Sequence, residues 1–334
     1  MDFVDTEYAR TDPIRLDGTL IRGCSRQEVE RRIRRVVRSV RFDYLEEAGA
    51  FRILGPDTSY HAADPHLVPT LAEEWDGLAP GGIVSYRTEA RRVDLCFEDS
   101  WSGWFIARCL QTSGQCEDLI LIHLDDHTDM MPTLLRRSGE GLADVATDRP
   151  FRAAFPSDWE ASIRTGAVGI GSFITPIYYS GHKVHVRHLN HFANSTYRLF
   201  NVTPLSNTYA LIPRIEFAGI RKRNDGWEHS AGTYLGGADA AGVLRAIPDG
   251  RVVVHIDLDY FINDFNGNPG TPCTLPDRRK NERARHLMDR FFEVVKPTAA
   301  RVERWIVATS PGFCSALHWR WLLEEIEDRI DAIS

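Results

Sequence analysis

The sequence predicts an α/β fold, with strands of a parallel sheet covered by helices. Two observations carry this expectation. Residues 119–124 and 251–256 are apolar runs almost without interruption, as strands covered on both faces by helices must be. Helical patterns at 281–295 and 315–330 separate or follow such runs. At 334 residues the chain is long enough for a large core. It shows no internal repeat and no linker that would divide it. One domain is therefore expected over 1–334, with 1–90 as an N-terminal extension and 91–334 as the core.

Taken in order, residues 1–24 are irregular and turn-rich, with Asp12-Pro13 and Leu16-Asp17-Gly18. Ser25 and Glu28 have the spacing of a capping box, and Val29, Ile33, Val36, Val37 and Val40 recur at helical spacing behind it. The other face carries Arg26, Arg31, Arg32, Arg34, Arg35, Arg38 and Arg41. It reads either as a solvated polar face or as a docking surface for an acidic partner. Residues 55–85 are loop-like, containing Gly55-Pro56-Asp57 and Pro80-Gly81-Gly82. Strands are expected at 93–97, 119–124, 183–186, 209–217, 251–256 and 304–308. The last helix packs through Trp319, Leu322, Leu323 and Ile326, with Trp321 beside them.

Lys and Arg number 40 against 47 Asp and Glu, a net charge of −7 that disfavours bulk binding to nucleic acid or to an anionic membrane. No apolar stretch approaches the length of a membrane helix. The acidic start lacks a signal-like apolar region. The six cysteines are dispersed without a CxxC pair, which fits reduced thiols. A cytoplasmic protein is expected on these grounds, and the Asn194–Thr196 sequon is given no weight. There is no P-loop, GxGxxG or GxSxG.

The chemistry concentrates where two of the expected strands end. Residues 119–124 run into Asp125-Asp126-His127-Thr128-Asp129, and 252–256 run into Asp257-Leu258-Asp259. Ligand sites in α/β sheets lie beyond the carboxyl ends of strands. In extended chain, alternate residues project to one side, so Asp125, His127 and Asp129 can converge with Asp257 and Asp259. Four carboxylates so close repel unless a cation neutralises them. Oxygen-rich ligation with one imidazole suits Mn²⁺ better than structural zinc, and bridging carboxylates allow two ions.

Asp125-Asp126-His127-Thr128-Asp129 resembles the Asp-x-His-x-Asp motif of the arginase/agmatinase (ureohydrolase) superfamily, and Asp257-Leu258-Asp259 resembles its Asp-x-Asp motif. Together with residues 171–181, His255 to Phe261 and Ser310-Pro311-Gly312, they are similar to the peptide arginases within it. The resemblance implies an arginase/deacetylase-like fold, three layers (α/β/α) around a mostly parallel sheet, and two Mn²⁺ ions per chain. It further implies an arginine-containing, ribosomally made precursor peptide as partner, whose arginine side chains become ornithine with release of urea. Carried over, Asp125 and Asp257 would bridge the ions, Asp129 would ligate one of them, and His127 and Asp259 the other. Water activated by the ions would attack the guanidinium carbon, and Asp129 would also relay its proton to the leaving amine. Two departures stand out. The upstream metal-binding His is missing from Gly81-Gly82-Ile83-Val84, and an oxygen of Glu98, Asp99 or Ser100 is expected to replace it. The late-strand carboxylate that grips guanidinium is missing from 308–312. A small-molecule guanidine ureohydrolase, a deacetylase-like amidohydrolase and a non-catalytic, metal-bound peptide-binding protein are the alternatives.

Among the remaining residues, His182 is chosen as proton shuttle because it follows Gly181. His182, His185, His188 and His191 read either as zinc ligands or as separate supports. His123 and His255 are either supports beneath the metals or satisfied core residues. Trp101 and Trp104 read as a groove wall or as core packing.

Overall fold

The computed structural model describes residues 12–90, 93–112, 117–139, 141–191, 198–224, 230–268 and 278–333, and the sequon lies outside them. They form a mixed α/β structure built on a sheet of 12 strands. We number its six central strands in chain order: β1 (Val93–Cys96), β2 (Leu119–Leu124), β3 (Val184–Leu189), β4 (Gly232–Gly237), β5 (Arg251–Asp257) and β6 (Val302–Ala308). In space they run β1-β6-β5-β2-β3-β4, every neighbouring pair parallel.

Helices cover both faces. On one, Leu121 and Val253 pack with Trp101, Phe105 and Trp159 from the helices Ser100–Thr112 and Pro156–Thr165. On the other, Ile120, Ile122, Val254 and Ile256 pack with Met288, Phe292, Leu322 and Ile326 from Arg278–Val295 and Trp319–Ile333. Burial on both faces explains the near-continuous apolar reading of β2 and β5. Among the described residues no helix is long and apolar enough to cross a membrane, and Cys24, Cys96 and Cys314 are free thiols.

The sheet is parallel only at its centre, which corrects the expectation of a mostly parallel one. Arg87–Glu89 adds antiparallel at one edge. Beyond β4 an antiparallel wing continues through Phe200–Tyr209, Ile212–Arg223 and three shorter strands. The single strand expected at 209–217 is instead the turn and part of one arm of this long hairpin. Most of its residues are half-buried or exposed, as in a sheet with one solvated face.

The extension is more structured than its sequence suggests. Ile14–Arg15, Ala50–Pro56 and Val40–Leu45 form a separate three-stranded antiparallel sheet. The helix Arg26–Val36 starts at Ser25, whose Oγ accepts from the Glu28 N–H at 3.3 Å. Only this half of the capping box forms, because the Glu28 carboxylate is drawn to Arg31 and Arg32. Val40 continues the apolar spacing yet begins a strand. The segment 55–85, which reads as loop, contains the helix Leu67–Glu74 and the 3-10 turns Ser59–Ala63 and Pro80–Ser85.

Candidate metal centre

β1, β2 and β5 end on the same edge of the sheet, with acidic residues at or just beyond those ends. Asp125, Asp129, Asp257 and Asp259 are all buried, each at most 3% exposed. They converge, though not by alternation in extended chain: the chain bends beyond Asp125, and Asp259 lies in the 3-10 turn Leu258–Tyr260. His127 Nδ1 lies 3.0 Å from Asp259 Oδ2 and 3.4 Å from Asp125 Oδ1. The Asp259 N–H donates to Asp257 Oδ1 at 3.0 Å, and the Asp126 N–H donates to Asp259 Oδ1 at 3.3 Å. Asp129 holds a left-handed backbone (φ +48°), sparsely populated for a non-glycine residue, and its carbonyl accepts from the Ile174 N–H.

A fifth carboxylate joins them. Asp99, just beyond β1, is buried and accepts from the Gly171 N–H at 3.2 Å. Sequence reading left Glu98, Asp99 and Ser100 as equals; the structure brings Asp99 into the cluster. Glu98 turns aside, accepting from Tyr60 Oη at 2.5 Å and meeting His61 Nε2 at 2.5 Å. Tyr60 and His61 come from the extension and carry no local signal, so sequence reasoning missed them. Ser310, also left-handed (φ +55°), donates from Oγ to Asp257 Oδ2 at 3.0 Å.

The charges are out of balance. Burial, then the neighbouring carboxylates, pushes Asp125, Asp129 and Asp257 well above the usual carboxylate range. Burial pushes Asp99 up to about 7. Burial opposes the His127 cation, but the contact with Asp259 outweighs it and raises His127 to about 10. Asp99 Oδ1 and Asp129 Oδ2 are buried without a hydrogen-bond partner. A cluster of this kind is a proton sink without a metal and a ligand set with one. Ligand atoms of Asp125, His127 and Asp259 all lie within 4.8 Å of one another, and so do those of His123, Asp125 and His255. Asp125 belongs to both groups.

Beneath the carboxylates runs a row of three histidines. His255, His123 and His188 sit at matching registers on β5, β2 and β3. His123 Nδ1 is 2.9 Å from His255 Nδ1, and His188 bonds the Asp125 carbonyl (2.9 Å) and Tyr234 Oη (2.8 Å). Burial holds all three far below the ordinary imidazole range, to about 3 for His188 and His255. The approaches of His123 Nε2 to Asp125 (3.7 Å) and Asp129 (3.6 Å) are therefore dipolar contacts of a neutral ring.

A cavity of about 340 Å³ lies over the cluster, walled by Tyr60, Phe97, Met131, Ile170 and Phe313, with Asp99, Asp125, Asp129 and Asp257 in its lining and no Lys or Arg. His127 is 40% exposed at its side chain. Gly171 makes the near wall possible, since a Cβ there would lie 2.8 Å from Met131 Cε at φ +73°.

Other expectations fall elsewhere. His182 precedes β3, at the opposite end of the strand from Asp125, where its ring bonds the Glu117 carbonyl at 3.1 Å. It is a full strand length from the cluster and cannot shuttle protons there; a glycine marks a strand's beginning as readily as its end. The four histidines of 182–191 do not converge. His185 pairs with Asp118, His188 bonds as above, and His191 stacks on Tyr260. Trp101 is buried with its N–H on the Val84 carbonyl, and Arg87 stacks on both Trp101 and Trp104, so neither tryptophan walls the cavity.

No known family model matches the chain, and no curated protein matches it.

Proposed function

We propose that the chain is a manganese-dependent hydrolase of arginase-like fold that converts arginine side chains in a ribosomally made precursor peptide to ornithine, releasing urea. One observation carries the reading. Five buried carboxylates and His127 converge at the carboxyl ends of three parallel strands, and four of those carboxylates, with His127, line a cavity that has no Lys or Arg among the described residues. That lining matches a guanidinium in charge. It offers no cationic side chain of that kind to a free α-carboxylate, which favours arginine held in a peptide over free arginine.

The residues fit two manganese ions: buried oxygens without partners, mutual repulsion and an oxygen-rich donor set with one imidazole all ask for divalent charge. His127 and Asp259 would serve one ion, and Asp129 the other, with Asp99 in place of the missing upstream histidine. Asp125 and Asp257 would be shared. Bound manganese supplies positive charge and water of lowered pKa. The chain's own groups do the rest. Ser310 fixes the Asp257 carboxylate, Asp129 Oδ2 takes and returns the proton that the leaving amine needs, and Phe97, Met131 and Phe313 exclude bulk water around the substrate stem.

The test loads the protein with Mn²⁺ and offers arginine-containing peptides, free arginine and agmatine, reading urea and peptide mass. Urea with ornithine formed only in peptides is the expected result. Turnover confined to arginine or agmatine would move the chain to the small-molecule ureohydrolases. A fully loaded protein inert towards all three would favour a non-catalytic binding role.

A further inference from the structure

The N-terminal extension carries a surface that the carboxylate site does not use. Residues 26–45 hold seven Arg against three acidic residues, in a chain of net charge −7. Some of that charge is compensated: Arg26 pairs with Glu30, Arg31 and Arg32 with Glu28, and Arg34 with Asp57. Arg35, Arg38 and Arg41 have no carboxylate partner among the described residues. Arg38 Nε reaches only the Arg35 carbonyl (3.4 Å), and Arg41 Nε the Pro56 carbonyl (3.3 Å).

Beside these guanidinium groups lies an open strand edge. Val40–Leu45 is the outer strand of its sheet and pairs on one side only, with Ala50–Pro56. Among the described residues, no backbone group of Val40–Leu45 bonds to a segment on its other side. The Arg26–Val36 helix borders the same strand: Arg26 lies over the Tyr44 ring and 3.5 Å from Asp43, and Arg34 lies over Phe42. Proteins ordinarily protect such edges, because unpaired N–H and C=O groups recruit another chain.

We propose that this edge takes up an extended acidic peptide segment, which pairs its backbone with Val40–Leu45 and sets its carboxylates against Arg35 and Arg38. The inference rests on the peptide reading above, the segment being a part of the same substrate away from the reacting arginine. A ladder of alternating donors and acceptors is matched by polypeptide, not by a nucleic-acid backbone, and the unpaired arginines set the sign of the partner. Continuity with the cavity supports it too. The strand Ala50–Pro56 backs the edge and leads within four residues to Tyr60, which lines the cavity.

The experiment titrates a labelled peptide of Glu and Asp, free of arginine, into the full-length metal-free protein at moderate salt and reads fluorescence anisotropy. Neither metal nor turnover enters, so failure here is distinguishable from failure of the hydrolase reading. Binding is expected, weakened at least about tenfold in an R35E/R38E double variant and unchanged in R278E, whose side chain is 92% exposed elsewhere. R35Q/R38Q serves if charge reversal disturbs folding. N-methylation of alternate peptide residues should abolish binding in one phase and spare it in the other, because only one set faces the strand. Absent binding, equal binding by the arginine variants, indifference to N-methylation, or tighter binding of single-stranded RNA at the same salt would overturn the proposal.

Discussion

At the scale of the residue, the centre is a set of carboxylates held together against their own repulsion. Asp257 shows the consequence best, because its oxygens meet the Asp259 N–H and Ser310 Oγ while its charge faces other buried carboxylates. Asp257→Asn keeps the shape and removes one charge. It should stabilise the metal-free protein by about 1–2 kcal/mol in urea unfolding while abolishing tight Mn²⁺ binding and urea formation. A variant that unfolds more easily without metal, or still turns over, contradicts the assignment. The residues of the cluster were legible in the sequence because type and spacing are local properties: Asp125, His127 and Asp129 alternate just beyond one apolar run, and Asp257 and Asp259 just beyond another. Asp99 was legible only as one of three neighbours. Tyr60, His61 and Ser310 were not assigned roles, since what they touch depends on which strands lie side by side.

At the scale of the element, close packing decides how segments meet. The helices Ser100–Thr112 and Pro156–Thr165 cross at Gly103, where an added Cβ would lie 1.9 Å from Trp159 Cζ3. Gly103→Ala gains helix propensity yet should cost about 3 kcal/mol in chemical denaturation through overpacking, and an unchanged midpoint would contradict this contact. A second junction is ionic. Asp264 accepts from Lys280 Nζ at 2.7 Å and lies 3.4 Å from His318 Nε2 and from the Ser315 N–H. Burial alone would raise its carboxyl; the contacts with His318 and Lys280 prevail and hold it at about 2. The unfolded chain therefore takes up this proton first as pH falls. The stabilisation is complete above about pH 4 and lost between there and about pH 2. Asp264→Asn should cost about 3 kcal/mol at pH 7, and the gap to the parent should close over that acidic window. Five of the six central strands and the late helices were legible from apolar runs and periodicity; β4, with three glycines in its six residues, has no apolar run and was missed. The short helix Leu67–Glu74 was hidden between turn-forming sequences, and the Phe200–Arg223 hairpin presents a weak alternation that only pairing makes visible.

At the scale of the whole molecule, a metal bound at the cluster, as proposed, would couple to folding. Mn²⁺ at about a hundred times its dissociation constant should add about 2.7 kcal/mol of stability, seen as a rise of several degrees in thermal unfolding that EDTA reverses. Asp125→Ala should show no such rise. The alternation of apolar runs and helical patterns indicated the α/β class. The mixed sheet did not follow from it, because strand order and the direction of edge strands are set by long-range pairing that no local window contains.

The centre draws on Asp99, Asp125, Asp257 and Ser310, so its parts leave the ribosome at widely separated times. During synthesis the first acidic segments emerge with nothing opposite them, and the pocket exists only after β5 and β6 have slotted between β2 and β1. Under the proposed function, metal capture would therefore be a late event in the life of each new chain. A copy truncated before Ser310 would forfeit it, so bound metal would serve as a certificate of complete assembly.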